Sequence, residues 1–252
     1  MVDEFKGRVA LVTAAAGRGI GQAIARRLAS GGATVVVTDI HERRTHEVAA
    51  AIAADHPLAT VTGMPLDAGD WAQIDTVIED VTATHGPIHI LVNNATINVR
   101  GPIFDYDPEN WLWCLRVNLS GPWYLCRRVM PIMREAGGGC IISTSSYAPD
   151  VGGDGLESPY AITKGGLNAL TRCMAVEGAP HDIRVNTVSM GVVLGTKFMD
   201  DNPEILEFAS PPMRTPVRAE DIAEAVAFLA SDRARHVTGE VLNVAAGAYM
   251  RN

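Results

Sequence analysis

RVALVTAAAGRGIGQAIARRLASGG, residues 8–32, decides the fold. Its opening RVALVTA is an apolar run with the length of a buried strand, and it leads directly into a glycine-rich turn and a helix. Gly17, Gly19 and Gly21 allow a tight turn and close backbone approach, and Ile20, Ile24 and Leu28 mark one apolar stripe of the helix. That order places the free N–H groups and positive dipole end of a helix where a pyrophosphate would sit. A plain tight turn would explain the glycines alone. The second apolar run, TVVVTD, ends on Asp39, 18 residues after Gly21 and close to the separation at which a carboxylate binds an adenosine ribose. A solvated strand-end aspartate is the simpler alternative there.

Outward from this unit, strand-like runs at 8–14, 34–40, 59–66, 88–94, 140–145, 183–189 and 240–245 alternate with amphipathic segments. AEDIAEAVAFLAS, residues 219–231, is the clearest of these, with Ile222, Val226 and Leu229 at helical spacing. The alternation predicts an α/β fold, a Rossmann-type doubly wound and mostly parallel sheet of seven strands with helices on both faces. Ligands of such sheets bind beyond the carboxyl ends of the strands, where the glycine loop, Asp39, Asn93 and Ser146 all fall. No linker, low-complexity tract or internal repeat divides the chain, so residues 1–252 read as a single nucleotide-binding domain.

SPYAITKGG, residues 158–166, carries the candidate chemistry. Tyr160 and Lys164 lie four residues apart, so on a helix the phenol and the ammonium project from one face. A nearby positive charge is expected to pull the phenol toward the working pH range, where it can protonate an alkoxide or take a proton from an alcohol. Alone, two common residues at this spacing would decorate a solvated face. ISTSS (142–146) and RVNLSG (116–121) precede them. Tyr147 and Tyr124 lack a lysine at the same spacing and read as packing or substrate-wall residues. Asp150, Asp154 and Glu157 read as a solvated loop, and the scattered histidines, His41 and His46 included, hold no metal.

The motifs arrive as glycine loop, Asp67, Asn93-Asn94-Ala95, Asn118, Ser146, Tyr160 with Lys164, then IRVNTVS and HVTGEVLNV. This ordered set resembles the short-chain dehydrogenase/reductase family over essentially the whole chain. The resemblance implies an oxidoreductase that moves a hydride between a nicotinamide cofactor and the carbonyl or secondary alcohol of an apolar substrate. It makes Ser146, with Ser145 as rival, the donor of a hydrogen bond to the substrate oxygen. It also makes Lys164 a ribose contact and Asn118 the holder of a relay water. Cofactor contacts are implied for Thr13, Gly17, Arg18, Gly19, Ile20, Gly21, Asp39, Asp67, Asn93, Ala95, Tyr160, Lys164, Gly191 and Thr196. Asp39 favours NAD, because with NADP the same carboxylate would face a phosphate of like charge. Arg18, Arg43 and Arg44 argue for NADP unless they are solvated or paired with Glu42 and Glu47.

Departures from the family pattern surround the cofactor. The stretch from Thr13 to Gly21 is one residue longer than usual, with Ala14 or Ala15 in the first glycine's place. Thr96 replaces a glycine, Met190 a proline, Thr196 sits one position late, and VAAG (244–247) stands for V-D-G-G. They motivate an alternative of another class, a non-catalytic nucleotide-binding regulatory protein. Segment 192–214 resembles the substrate-covering region: Val192, Val193, Leu194, Phe198, Met199, Leu206 and Phe208 could close over an apolar ligand. Asp200, Asp201, Glu204 and Glu207 disfavour a polyanion there, although Arg214 and Arg218 leave room for one. TAAAGRGIG and DIHERR resemble a subgroup that includes reductases of steroid-breakdown intermediates, some as coenzyme A thioesters, so a 3-oxoacyl or steroid-derived thioester is the alternative substrate.

The 252 residues, 47% hydrophobic, suffice for a large core, and the net charge of −8 disfavours nucleic acid and anionic membranes. Cys114, Cys126, Cys140 and Cys173 form no C-x-x-C pair and read as buried small hydrophobes of a reducing compartment. No run reads as a signal peptide or membrane span, which points to the cytoplasm. The resemblance implies a homotetramer built through long helices near 107–134 and 159–177, with Trp111, Trp113, Leu115, Leu167, Leu170 and Met174 offering apolar surface.

Overall fold

The structure, a computed structural model, describes residues 3–203, 205, 211–213, 215 and 217–250. In chain order, β1 (Val9–Val12), α1 (Ile20–Ser30), β2 (Thr34–Asp39), α2 (Glu42–Asp55), β3 (Val61–Pro65), α3 (Trp71–His85) and β4 (Ile88–Asn93) form the first half. The second half comprises α4 (Pro108–Leu115), a π turn at Arg116–Ser120, α5 (Gly121–Glu135), β5 (Gly139–Ser146), α6 (Ala148–Val151), α7 (Ser158–Gly178) and β6 (Ile183–Met190). It continues through β7 (Val193–Leu194), α8 (Lys197–Asp201), β8 (Val217–Arg218), α9 (Ala219–Ala230) and β9 (Val241–Val244). The predicted seven-stranded sheet is present, in the order β3-β2-β1-β4-β5-β6-β9, and every pairing is parallel. The order reverses between β1 and β4, which opens the crevice used by ligands of doubly wound sheets.

Strand residues divide by parity between two cores. Ala10, Val12, Val35 and Val37 pack with Ile24 and Leu28 of α1 and with Ile222 and Val226 of α9. Val9, Leu11 and Val36 pack on the other face with Ile74 and Ile78 of α3 and with Leu125 and Val129 of α5. The pairing of β1 with β4 shifts register between Val9 and Ala10, where the His89 Nδ1 accepts the Val9 N–H at 3.1 Å. The shift sends Ile88 and Leu91 to one core and Ile90 and Val92 to the other.

Three expectations change here. The long segment near 107–134 is two α-helices separated by the π turn, and the small β7–β8 ladder was not foreseen. Leu167 and Met174 lie in the core, because their face of α7 turns toward the sheet, whereas Trp113 remains 42% exposed. Cys173 is exposed on the outer face of α7, while the other three cysteines are buried. Among the described residues no helix is long and apolar enough to cross a membrane.

Ala14 adopts φ 50° and Ala246 the same value, so two of the alanines standing in glycine positions are held in the left-handed region. That conformation costs an L-residue about 1–2 kcal/mol, partly offset in a glycine variant by about 0.5–1 kcal/mol of extra chain entropy. Ala14→Gly is therefore expected to raise the melting temperature by about 1–4 °C, read by calorimetry. A fall would show that the loop gains more from the methyl group than the backbone loses.

Candidate active site

The glycine loop runs from the end of β1 over the N-terminus of α1. A Cβ at Gly21 would lie 2.4 Å from the Ala14 carbonyl oxygen and 2.6 Å from Asn94 Nδ2, so only glycine fits. Gly19 needs its freedom for another reason, a φ of 143°. At Gly17 a Cβ would meet no described atom within 4 Å, which leaves space above the loop. Thr13 stitches the strand ends together: its Oγ1 accepts the N–H groups of Asn94 and Ala95, both at 2.9 Å, and donates to the Val92 carbonyl. Asn94 Nδ2 donates to the Thr13 and Ala14 carbonyls at 3.0 and 3.1 Å. Asn93, by contrast, is buried beneath the crevice with its amide toward Cys126 Sγ, 3.9 Å away, and its Oδ1 without a partner among the described residues.

At the tip of β2, Asp39 Oδ2 accepts the Ala16 N–H at 3.3 Å and Oδ1 the His41 N–H at 3.2 Å, tying the carboxylate to the loop. Burial raises its pKa, opposed by the bond from Ala16 and by the Arg44 guanidinium 3.7 Å away. Arg43 pairs with Glu47 at 2.6 Å, and Arg18 pairs with Asp200 of α8. Asp67 caps the turn after β3, its Oδ1 accepting the Gly69 N–H at 2.8 Å.

Across the crevice, β5 and α7 bring the candidate catalytic groups together. Lys164 is 2% exposed, with Nζ donating to the Thr144 carbonyl at 2.7 Å and lying 5.5 Å from the Tyr160 ring centroid. Burial lowers its pKa to about 7. Burial also pushes the Tyr160 phenol well above its usual value, and the hydrogen bond with Ser146 lowers it only in part. This corrects the expectation of a lysine-lowered phenol: with both groups desolvated and Nζ directed at a carbonyl, the cost of burying charge dominates. The Ser145 Oγ donates to the Lys164 carbonyl at 3.3 Å, whereas Ser146 hydrogen-bonds with Tyr160.

Asn118 is 1% exposed within the π turn. Its Oδ1 accepts the Ile97 N–H at 2.8 Å, and its Nδ2 donates to the Ile97 carbonyl and to Thr163 Oγ1 at 2.9 and 3.1 Å. The side chain thus clamps the loop after β4 to α7. Pro122, four residues on, has no N–H, so the Asn118 carbonyl lacks its usual helical donor. Insertion of the extra backbone unit reflects that mismatch.

Tyr160, Lys164, Ser146 and Asn94 line one cavity of about 820 Å³ with Ile20, Gly191 and Thr196. Val192, Val193, Phe198 and Met199 form part of its wall, so that half of the expected covering segment faces the site. Glu204, Leu206, Glu207, Phe208 and Arg214 lie outside the described residues. Thr196 caps α8, and its methyl group would sit 3.4 Å from a Cβ on Gly19, so the segment rests on the glycine loop. The Gly191 N–H donates to the Val244 carbonyl at 3.3 Å.

A family model described as enoyl-(acyl carrier protein) reductase matches residues 14–249, across the glycine loop and the Tyr160–Lys164 pair. The chain belongs to the short-chain dehydrogenase/reductase family. Its members are oxidoreductases that use nicotinamide cofactors. The chain is 38% identical over 248 residues to the 3-oxoacyl-(acyl-carrier-protein) reductase FabG of Escherichia coli, covering 98% of this chain and 99% of the relative. It is 37% identical over 242 residues to a hydroxy-methyl-oxo-hexahydro-indene-carboxyl-CoA reductase of Mycobacterium tuberculosis, covering 94% and 92%. A crystal structure of a short chain dehydrogenase from Mycobacterium smegmatis superposes with a TM-score of 0.82 at 33% identity, covering 96% of this chain and 92% of that one.

Within this family frame, two groups escaped the sequence reading. Asn94 holds the glycine loop from the neighbouring strand, and only the adjacent Asn-Asn pair could have hinted at it. Asp154 and Glu157, expected in a solvated loop, instead line the cavity: Asp154 pairs with Arg100 at 2.6 Å and Glu157 accepts from Asn98 at 2.9 Å. Tyr147 lines the cavity as expected, its ring 6.3 Å from that of Tyr249. Tyr124 stacks on Trp71 at 4.5 Å and donates to Asp75, away from the cavity.

Proposed function

We propose that the chain is an NAD-dependent dehydrogenase/reductase that interconverts a ketone and a secondary alcohol in the cavity beside Tyr160. The observation that carries this reading is the convergence of Tyr160, Ser146 and Lys164 on one cavity continuous with the glycine loop. The loop suits a dinucleotide because Gly21 admits no Cβ while the space over Gly17 is open. A bound reduced nicotinamide supplies the hydride. The chain's own residues do the rest: Ser146 Oγ donates a hydrogen bond to the carbonyl oxygen, and Tyr160 gives that oxygen its proton as negative charge develops. Burial keeps the phenol protonated at neutral pH, which suits a proton donor. Lys164 lies beside the phenol and reaches the ribose, and Asn118 fixes the loop after β4 and offers its backbone carbonyl to a relay water. Thr13, Gly17, Gly19, Ile20, Ala95, Gly191 and Thr196 shape the dinucleotide cleft, with Asp67 and Asn93 at its floor and edge.

The named relatives support a thioester-bearing ketone as a second substrate reading, since both act on acyl-carrier or CoA compounds. A regulatory, non-catalytic role finds no support in them. The test is NADH-dependent reduction of a panel of cyclic, aliphatic, steroid and 3-oxoacyl-CoA ketones. Hydride transfer to none of them refutes the enzyme reading.

NAD preference rests on Asp39, which faces the loop, and on Arg18, whose charge is taken up by Asp200. Charge-assisted bonds to the ribose hydroxyls are worth about 1.5–3 kcal/mol, so Asp39→Ala should lower the NADH-to-NADPH ratio of kcat/KM by about 10–100-fold. A wild type that already prefers NADPH, or an unchanged ratio, would make Arg18 the determinant. A homotetramer is proposed from exposed Trp113 and Trp123 on α4 and α5, and sedimentation showing only monomer at micromolar concentration refutes it.

A further inference from the structure

Two loops close the cavity wall beside Tyr160, one after β4 and one before α7. The Gly101 N–H donates to the Leu156 carbonyl at 2.8 Å, and Arg100 pairs with Asp154 at 2.6 Å. Both links join the loops, and the second pairs opposite charges. The third link, from Asn98 Nδ2 to Glu157 Oε2 at 2.9 Å, does something else. It fixes one carboxylate oxygen and leaves the other, Oε1, with no donor reaching it among the described residues. Asn98 Oδ1 is likewise buried without a partner. Arg100 pairs directly with Asp154 and offsets the Glu157 charge only through space, so that burial, the largest effect, raises the Glu157 pKa.

Glu157 is the N-cap residue of α7, three positions before Tyr160, so the two side chains leave the first turn of one helix as neighbours. Val151, Leu156, Val192, Phe198 and Met199 supply apolar lining of the same cavity. A purely apolar substrate would strip water from Glu157 and Asn98 and return no hydrogen bond, which is costly. A carboxylate there would meet a like charge. A hydroxyl satisfies the open acceptor.

We propose that Glu157, oriented by Asn98, is a specificity-determining residue that accepts a hydrogen bond from a hydroxyl group of the substrate, so that the enzyme prefers hydroxyketones and the matching diols over plain or carboxylated ketones. This rests on the catalytic reading above, and the test separates the two. NADH-dependent kcat/KM is measured for cyclohexanone, the positional hydroxycyclohexanones and oxocyclohexanecarboxylate. Binding of cyclohexanediol and of cyclohexanol to the enzyme–NADH complex is measured by calorimetry, which needs no turnover.

At least one hydroxyketone should exceed cyclohexanone by about tenfold or more, as expected for one hydrogen bond to a charged group. Glu157→Leu should erase that preference, read as the ratio of hydroxyketone to cyclohexanone kcat/KM so that any change common to both substrates cancels, and Glu157→Gln should retain part of it. Both variants should accept the carboxylate better. Equal turnover of hydroxylated and plain ketones by wild type, or equal losses on both in the leucine variant, refutes the role of Glu157 and leaves the catalytic reading standing. Tighter, Glu157-dependent binding of the diol without turnover of any ketone upholds Glu157 and removes the catalytic reading. A diol that binds no more tightly than cyclohexanol refutes the role of Glu157 whatever the turnover.

Discussion

Tyr160→Phe is expected to lower kcat by roughly 10²–10⁴-fold while leaving cofactor affinity nearly unchanged. The phenol is placed both against Ser146 and close to Lys164, and the phenylalanine ring keeps its volume. Ser146 retains a partner in the variant, because its Oγ also accepts the Ala148 N–H at 3.1 Å. The loss should therefore appear in the chemical step, read by single-turnover kinetics with calorimetric cofactor binding as control. Retention of more than a third of the wild-type kcat would remove Tyr160 from the proton-transfer role.

Lys164→Met separates function from stability. Turnover and cofactor binding should both fall, turnover by on the order of 10²-fold or more, because the amine that exchanges protons beside the phenol and the ribose contact vanish together. Ligand-free stability should respond in the opposite sense at neutral pH. Burial lowers the folded pKa of Lys164 to about 7 from its ordinary 10.5. Between these limits the unfolded chain binds a proton that the folded chain does not, so wild-type stability rises with pH by about 1.4 kcal/mol per unit and is flat below pH 7. The variant lacks this dependence. Its stability relative to wild type should be highest near pH 7 and decline by on the order of 2–3 kcal/mol by pH 9, read from urea midpoints. Parallel pH curves would show that the lysine keeps its charge in the folded protein.

Much of the architecture was legible because the signals are local. Seven apolar runs of strand length survive as seven strands, since alternation along a strand and helical periodicity between strands act within a few residues. The same holds for the glycine loop and for Tyr160 and Lys164 on one helix face. Ser145 and Ser146 were indistinguishable in ISTSS, because either could face the site. Their surroundings differ only once α7 is seen against β5, with the Ser145 hydroxyl on the Lys164 carbonyl and Ser146 against Tyr160.

By itself, then, the sequence determined the doubly wound sheet, the glycine turn and the Tyr160–Lys164 spacing, all written in short-range periodicity and turn chemistry. Tertiary structure alone decided that Ala14 sits at φ 50°, that Asn94 rather than Asn93 holds the glycine loop, and that Lys164 is desolvated against the Thr144 carbonyl. It also turned a supposedly solvated acidic loop into a cavity wall, by bringing Asn98 to Glu157 across 59 residues of chain. Burial and hydrogen-bond partners depend on segments that only folding brings together, so the charge, exposure and role of a polar side chain cannot be read from its neighbours in sequence.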